Sequence, residues 1–192
     1  MKGRDDEDKD RKTARPQDLQ TSDLQTLRLS DTQTLRHSDL QTLKRNKNMQ
    51  EMKILILCTG NSCRSQMAHG FLQSFDKKLI VQSGGTEPAA RINPKAVEVM
   101  AELGIDISHH TPHLVDEYLD EEWDYVITVC DHANETCPAF FGRVKHRLHL
   151  GFEDPSHATG TPEFIQSEYI RIRDQIRETF LQFYTENIKE HI

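Results

Sequence analysis

Beyond residue 51 the apolar residues fall into two kinds of segment: short unbroken runs, and longer stretches in which they recur every three or four positions. The runs predict buried strands at 52–58 (MKILILC), 79–85 (LIVQSGG), 125–130 (YVITVC) and 146–151 (HRLHLG), because a strand covered on both faces needs no polar alternation. The longer stretches predict helices at 65–76, 93–105 and 162–189. The second has Pro94 in its first turn and Gly104 near its end, and the third repeats Phe164, Ile165, Tyr169, Ile172, Ile176, Phe180 and Phe183. Strands alternating with helices predict an α/β domain built on a four-stranded parallel sheet. Ligands of such sheets bind beyond the carboxyl ends of the strands, where Cys58, Ser83, Cys130 and the segment after Leu150 should gather.

The pattern stops upstream. Residues 1–51 contain no aromatic residue and no cysteine, and SDLQTLRL, SDTQTLRH and SDLQTLKR follow one another at 22–45 with a strict eight-residue period. That period does not match a heptad, and the charge-mixed segment before it favours solvation. The expected organisation is a disordered low-complexity tail over 1–51 and a globular domain over 52–192. A short helical docking arm is the alternative for the tail, and so is a repeat read through at the DNA level ahead of a start at Met49 or Met52.

Net charge is −7 with no basic stripe, which argues against a nucleic-acid partner. No apolar stretch reaches membrane-spanning length and the N-terminus does not resemble a signal peptide, so no membrane partner is expected and a cytoplasmic location is the default. No dimer seam is evident, so a monomer is expected. In that compartment paired cysteines are more often catalytic or metal-binding than structural.

The chemistry concentrates in CTGNSCRS, residues 58–65, on the turn between the first strand and first helix. A loop entering a helix N-terminus presents inward N–H groups and the positive end of the helix dipole, which suits a tetrahedral oxyanion. Gly60 lets the loop curl and Arg64 adds a fork of donors. The same field is expected to lower the pKa of Cys58 and make it a thiolate nucleophile. Asn61 and Ser65 are placed to hold the loop and hydrogen-bond the sulfur. Cys63 reads as a small packing residue, with a redox role as the alternative. In EDPSHA, Asp154 is held extended by Pro155 at the same rim, where a carboxylic acid can protonate a leaving oxygen.

From Met52 to the C-terminus these residues resemble the low-molecular-weight protein tyrosine phosphatase fold, a three-layer α/β arrangement. Within it they are most similar to the thioredoxin-coupled arsenate reductases: CRSQMA has Gln66 where phosphatases usually have proline, and NPKAVEVM, GIDIS and GFEDP also look like reductase segments. The resemblance implies Cys58 as nucleophile, Arg64 as oxyanion clamp and Asp154 as general acid. It implies Thr59, Gly60, Asn61, Ser62, Cys63, Arg64 and Ser65 as the oxyanion-binding set. VCDHANETCP supplies two further thiols, Cys130 and Cys137. The family pattern implies that Cys130 attacks the Cys58 sulfur of an arsenic adduct and that Cys137 resolves the resulting disulfide. A Cys130–Cys137 disulfide then remains for thioredoxin to reduce.

The implied substrate is arsenate, with phosphate or sulfate as competing oxyanions. The reaction needs no cofactor and no metal. A helical 131–137 would hold the two thiols roughly 10 Å apart, beyond the reach of about 7 Å that a disulfide allows, so the segment should open during turnover. Zinc held by Cys130, His132 and Cys137 is the competing reading, and two isolated core cysteines the bland one.

Some of these reductases bind potassium. The matching positions here are Asn61, His69, Ser83, Thr111 and His113, where two histidines replace the family's carboxylates, so no potassium dependence is expected. A protonated His69 or His113 in the cation's place would make activity fall above about pH 7. His109, His110 and His132 carry no legible signal. A phosphatase of the same fold, or a thiol-based sensor without turnover, are the alternative functions. The sensor would have no use for Asp154.

Overall fold

The computed structural model describes residues 51–130 and 139–189. The expectations for the N-terminal tail, for His132 and Cys137, and for the segment joining Cys130 to Cys137 lie outside the described residues.

Strand β1 (Lys53–Cys58) forms because its four central residues have nothing polar to solvate: Ile54, Leu55, Ile56 and Leu57 are fully buried. Each such burial contributes about 1.5–3 kcal/mol. Helix α1 (Arg64–Phe75) follows, then β2 (Ile80–Gly85), α2 (Pro94–Ala101), a 3-10 turn at Val115–Tyr118, β3 (Glu122–Thr128) and β4 (Arg143–His149). A second 3-10 turn at Pro155–His157 leads into α3 (Pro162–Asn187). The sheet order is β2-β1-β3-β4 and every pairing is parallel. This is the α/β fold with a four-stranded parallel sheet and, among the described residues, three helices.

Successive residues of β1 face opposite sides of the sheet. Ile54 and Ile56 pack against a cluster that draws Met67, Ala68, Phe71 and Leu72 from α1, Val99 and Met100 from α2, and Ile172, Ile176 and Phe180 from α3. Leu55 and Leu57 face the other way, onto Val115, Tyr118, Trp123, Val126 and Phe140. The helix ends follow their local chemistry. Asn93 caps α2 through its side-chain oxygen, which accepts from Lys95 N, and Thr161 caps α3 by accepting from Phe164 N.

The predicted boundaries shift in three places. Helix α2 stops at Ala101 rather than 105, because Gly104 takes φ +73° and the amides of Gly104 and Ile105 return to the carbonyls of Ala101 and Met100. Strand β3 begins earlier, with Trp123 buried within it, and leaves the ladder before Cys130. Strand β4 begins at Arg143, three residues before the predicted start. It lies at the sheet edge, where Arg143, Lys145 and Arg147 stay exposed and hide its strand character from hydropathy.

After β1 the chain goes to one side of it for β2 and to the other for β3. The crevice at such a reversal opens beyond the carboxyl end of β1, at Cys58. Gly85 closes this crevice from β2: a Cβ there would collide with the Thr59 carbonyl oxygen and lie 3.1 Å from Asn61 N. Replacing Gly85 by Ala should therefore cost about 1–3 kcal/mol in urea unfolding, and should weaken oxyanion binding by more than that general loss, because the displaced backbone is the loop itself.

Candidate active site

Four successive carbonyls turn outward along the loop after Cys58. Thr59 O accepts from Glu87 N at 3.0 Å, Gly60 O from Ala89 N at 2.9 Å, and Ser62 O from Asn93 N at 2.8 Å. Asn61 O accepts from Gln66 Nε2 at 3.0 Å. With the carbonyls held from outside, the loop amides face inward, and α1 begins without a side-chain cap or an acidic residue in its first turn. Its N-terminal donors are left for an anion. Asn61 makes the turn possible: it is fully buried and sits at φ +45°, a left-handed conformation that asparagine tolerates better than most residues.

The orientation of the Asn61 amide follows from a backbone donor. His113 N donates to Asn61 Oδ1 at 2.9 Å, so Asn61 Nδ2 must be the atom facing Ser65 Oγ at 3.0 Å. Ser65 accepts that bond and lies 3.0 Å from Cys58 Sγ, to which its hydroxyl donates once the sulfur is ionised. Asn61 N also donates to Sγ, at 3.1 Å. The sulfur thus receives two donors, as the sequence suggested for Asn61 and Ser65.

The expected depression of the Cys58 pKa does not follow from this geometry. Cys58 is almost wholly buried, and burial pushes its thiol up. The bonds from Ser65 and Asn61 and the charge of Arg64 pull it down but do not prevail. Arg64 is itself committed elsewhere: Nη1 donates to Phe152 O at 3.0 Å, and Nη2 forms an ion pair with Asp154 Oδ2 at 2.7 Å. Asp154 Oδ1 accepts from Ser156 N at 2.9 Å, so the carboxylate is fixed at both oxygens. The candidates for nucleophile, clamp and acid, Cys58, Arg64 and Asp154, lie at one crevice, with Arg64 and Asp154 paired to each other.

Cys63 packs in the main apolar cluster beside the loop, and burial raises its thiol as well. Thr59 Oγ1 is buried and has no hydrogen-bond partner among the described residues. Cys130 lies two residues past β3, fully buried and disulfide-bonded, whereas Cys58 and Cys63 are free. Among the described residues no group of three or more His, Cys, Asp or Glu is arranged to hold a metal ion.

The five positions matched to a cation site are bonded to one another or to the loop. His69 Nδ1 lies 3.3 Å from Ser83 Oγ and His113 Nε2 lies 2.9 Å from Thr111 Oγ1, while Asn61 Oδ1 is occupied by His113 N and Gln66 Nε2. A protonated His69 is ruled out. Burial, followed by the neighbouring His110, His109 and His113, lowers its pKa to about 3, so it is neutral near pH 7 and supplies no positive charge.

Sequence reasoning missed three contributors. The Phe152 carbonyl holds Arg64, the Asn93 amide anchors Ser62, and His110 Nδ1 sits 2.9 Å from Gln66 Oε1. The two backbone groups leave no trace in residue type.

Residues 53–191 match the family model described as low molecular weight phosphotyrosine protein phosphatase, and the chain belongs to that family. Within it, the chain is similar to curated arsenate reductases. The chain is 43% identical to the one from Halalkalibacterium halodurans over 136 residues, which is 70% of this chain and 96% of that protein. It is 42% identical to the one from Bacillus subtilis, with the same coverage. Among solved structures, an arsenate reductase in the phosphate binding state superposes with a TM-score of 0.60 at 29% identity, covering 70% of this chain and 98% of that one. An arsenate reductase in the oxidized state gives 0.58 at 28% identity, covering 70% and 97%.

The buried neutral His69 predicts an acid-sensitive fold. Above its ordinary value of 6.5 neither state is charged. As the pH falls below 6.5 the unfolded chain takes a proton that the folded chain refuses until about pH 3, so stability is lost across that window, at up to about 1.4 kcal/mol per pH unit. His69→Gln should show a shallower loss between pH 6.5 and 4.5 in urea unfolding, and an unchanged slope would contradict this account.

Proposed function

We propose that this chain reduces arsenate to arsenite through a three-cysteine relay, and that a thioredoxin-type dithiol in the cytoplasm regenerates it. The observation that carries the reading is the conjunction of two sites: a cradle built for a tetrahedral oxyanion around the free Cys58, and a buried, disulfide-bonded Cys130 just past the neighbouring strand. A phosphatase has no use for the second. The arsenate reductases to which this chain is similar support the same substrate.

Arsenate enters as an anion and takes the place of Asp154 on the Arg64 guanidinium. The displaced carboxylate loses its cation and becomes able to carry a proton. The Cys58 thiol passes its proton through the bound oxyanion to the displaced Asp154 carboxylate, and the donors from Ser65 and Asn61 stabilise the sulfur as it charges. Cys58 sulfur attacks arsenic, one As–O bond breaks, and the departing oxygen takes the proton of Asp154 and leaves as water.

For this step Cys130 must first be released by the external dithiol from the disulfide in which the structure holds it; as a thiolate it then attacks Cys58 sulfur. The As–S bond breaks, its electron pair goes to arsenic, As(V) becomes As(III), and arsenite leaves behind a Cys58–Cys130 disulfide. Cys137 attacks Cys130 and frees Cys58. The external dithiol reduces the remaining disulfide by two further exchanges.

Two measurements test this. Arsenate should drive NADPH consumption when the protein is combined with thioredoxin and thioredoxin reductase. Cys130→Ser should abolish turnover and release no arsenite, because arsenic on Cys58 then stays As(V). Hydrolysis of an aryl phosphate without any arsenate-dependent consumption would instead identify a phosphatase. Asp154→Asn should lower kcat for arsenate by about 10²–10⁴-fold, the range for loss of a general acid. The same substitution should tighten inorganic phosphate binding, because Arg64 is no longer neutralised. Weaker phosphate binding in that variant would overturn the exchange of partners on Arg64.

A further inference from the structure

We infer that His110 is a positioning residue for the nucleophile loop, holding the Gln66 amide in the one orientation that locks Asn61. This rests on the reading of Cys58 and its loop as the oxyanion site. His110 is half-buried, outside the loop, and its role comes from the way hydrogens must be distributed along a chain of contacts.

The chain starts from a donor whose identity is fixed. His113 N–H is a backbone amide and donates to Asn61 Oδ1 at 2.9 Å. The atom of Gln66 that faces the same Oδ1 at 3.0 Å must therefore be a donor, Nε2. That nitrogen also faces Asn61 O at 3.0 Å and Thr111 O at 3.4 Å, so three oxygens surround it. Gln66 Oε1 is consequently turned the other way, toward His110 Nδ1 at 2.9 Å. An amide oxygen only accepts, so His110 Nδ1 carries a hydrogen and donates it. It does so in both the neutral and the protonated ring.

The ring is held in place by its neighbours, with His69 at 4.5 Å between centroids and His109 edge-on at 4.7 Å. Gln66 is 1% exposed, so water is a poor substitute for the lost partner of its carbonyl. At the far end the consequences reach sulfur. Asn61 is kept at φ +45° with its N–H on Cys58 Sγ and its Nδ2 on Ser65 Oγ. Without the His110 proton, the Gln66 amide gains nothing from its present orientation on that side. If it turns over, an oxygen is set against three other oxygens, and the restraint on Asn61 is lost.

Two substitutions of equal size separate this role from simple packing. Asparagine carries its Nδ2 close to where histidine carries Nδ1, and so keeps the donor. Aspartate puts an acceptor there and faces Gln66 Oε1 with an oxygen. Both lose the ring contacts equally. The experiment measures iodoacetamide labelling of Cys58 in the reduced full-length protein across a titration with inorganic phosphate, alongside KM and kcat for arsenate.

His110→Asp should raise the half-protecting phosphate concentration and KM by about tenfold, the effect of one buried hydrogen bond lost and opposed, with a smaller change in kcat. His110→Asn should stay within about twofold of the wild type on both. Equal behaviour of the two variants, whether both impaired or both normal, would overturn the proposal, since packing alone treats them alike. Wild-type Cys58 unprotected by phosphate would overturn the underlying oxyanion reading and this inference with it.

Discussion

The whole nucleophile loop depends on one buried residue in an uncommon conformation, Asn61 at φ +45°. A left-handed non-glycine residue is strained unless its surroundings over-determine it. Here they do: its carbonyl and both ends of its side-chain amide are bonded, to Gln66, His113 N and Ser65, and its own N–H is on Cys58 Sγ. With Asn61 turned this way its neighbours' carbonyls point out to Glu87, Ala89 and Asn93, and the loop amides are left facing the crevice. Strand β2, the segment leading to the 3-10 turn, and helix α1 all meet at this residue. The parallel sheet is the scaffold that makes them meet, because the chain reverses its direction of strand addition at β1.

The charges of the crevice are paired within the protein. Arg64 and Asp154 neutralise each other at 2.7 Å, and burial keeps the Cys58 thiol above its ordinary pKa despite two donors on the sulfur. Paired in this way, neither charge is left buried without a partner. Under the proposed mechanism an anion that reaches Arg64 displaces the carboxylate, and the same act that binds substrate releases the proposed acid. Coupling binding to the arming of an acid in this way requires nothing beyond an exchange of partners on one guanidinium.

The parts of this arrangement differ in how legible they were. Runs such as KILIL announce a strand covered on both faces, and a parallel sheet follows from alternating strands and helices. The placement of Cys58, Arg64 and Asp154 in one crevice followed from the rule that sites form at the strand ends. The raised Cys58 thiol was not legible, because the sequence shows the positive neighbour but neither the burial around the sulfur nor the carboxylate that occupies that neighbour. Neutral His69 was misread for the same reason: residue type gave its possible charge, and only packing gave its desolvation. Strand β4 was found too late in the chain because its exposed edge carries Arg143 and Lys145. His110 had no signal at all, since its role depends on which way a glutamine amide points.

A tetrahedral cradle lined with amides and one guanidinium has little means of telling arsenate from phosphate, whose charge and shape are nearly the same. Under the proposed relay that discrimination is not needed at binding. Phosphate on Cys58 can only hydrolyse or depart, because phosphorus has no comparably accessible trivalent state, so its occupancy is reversible competition. Arsenic on Cys58 can accept an electron pair, and a second thiol within reach makes that outcome irreversible by releasing arsenite. Selectivity then resides in the chemistry of Cys130 and not in the shape of the loop. On this view a family of phosphotyrosine phosphatases could yield a reductase with its oxyanion loop almost unaltered, provided a buried thiol was placed beyond the neighbouring strand, where Cys130 stands.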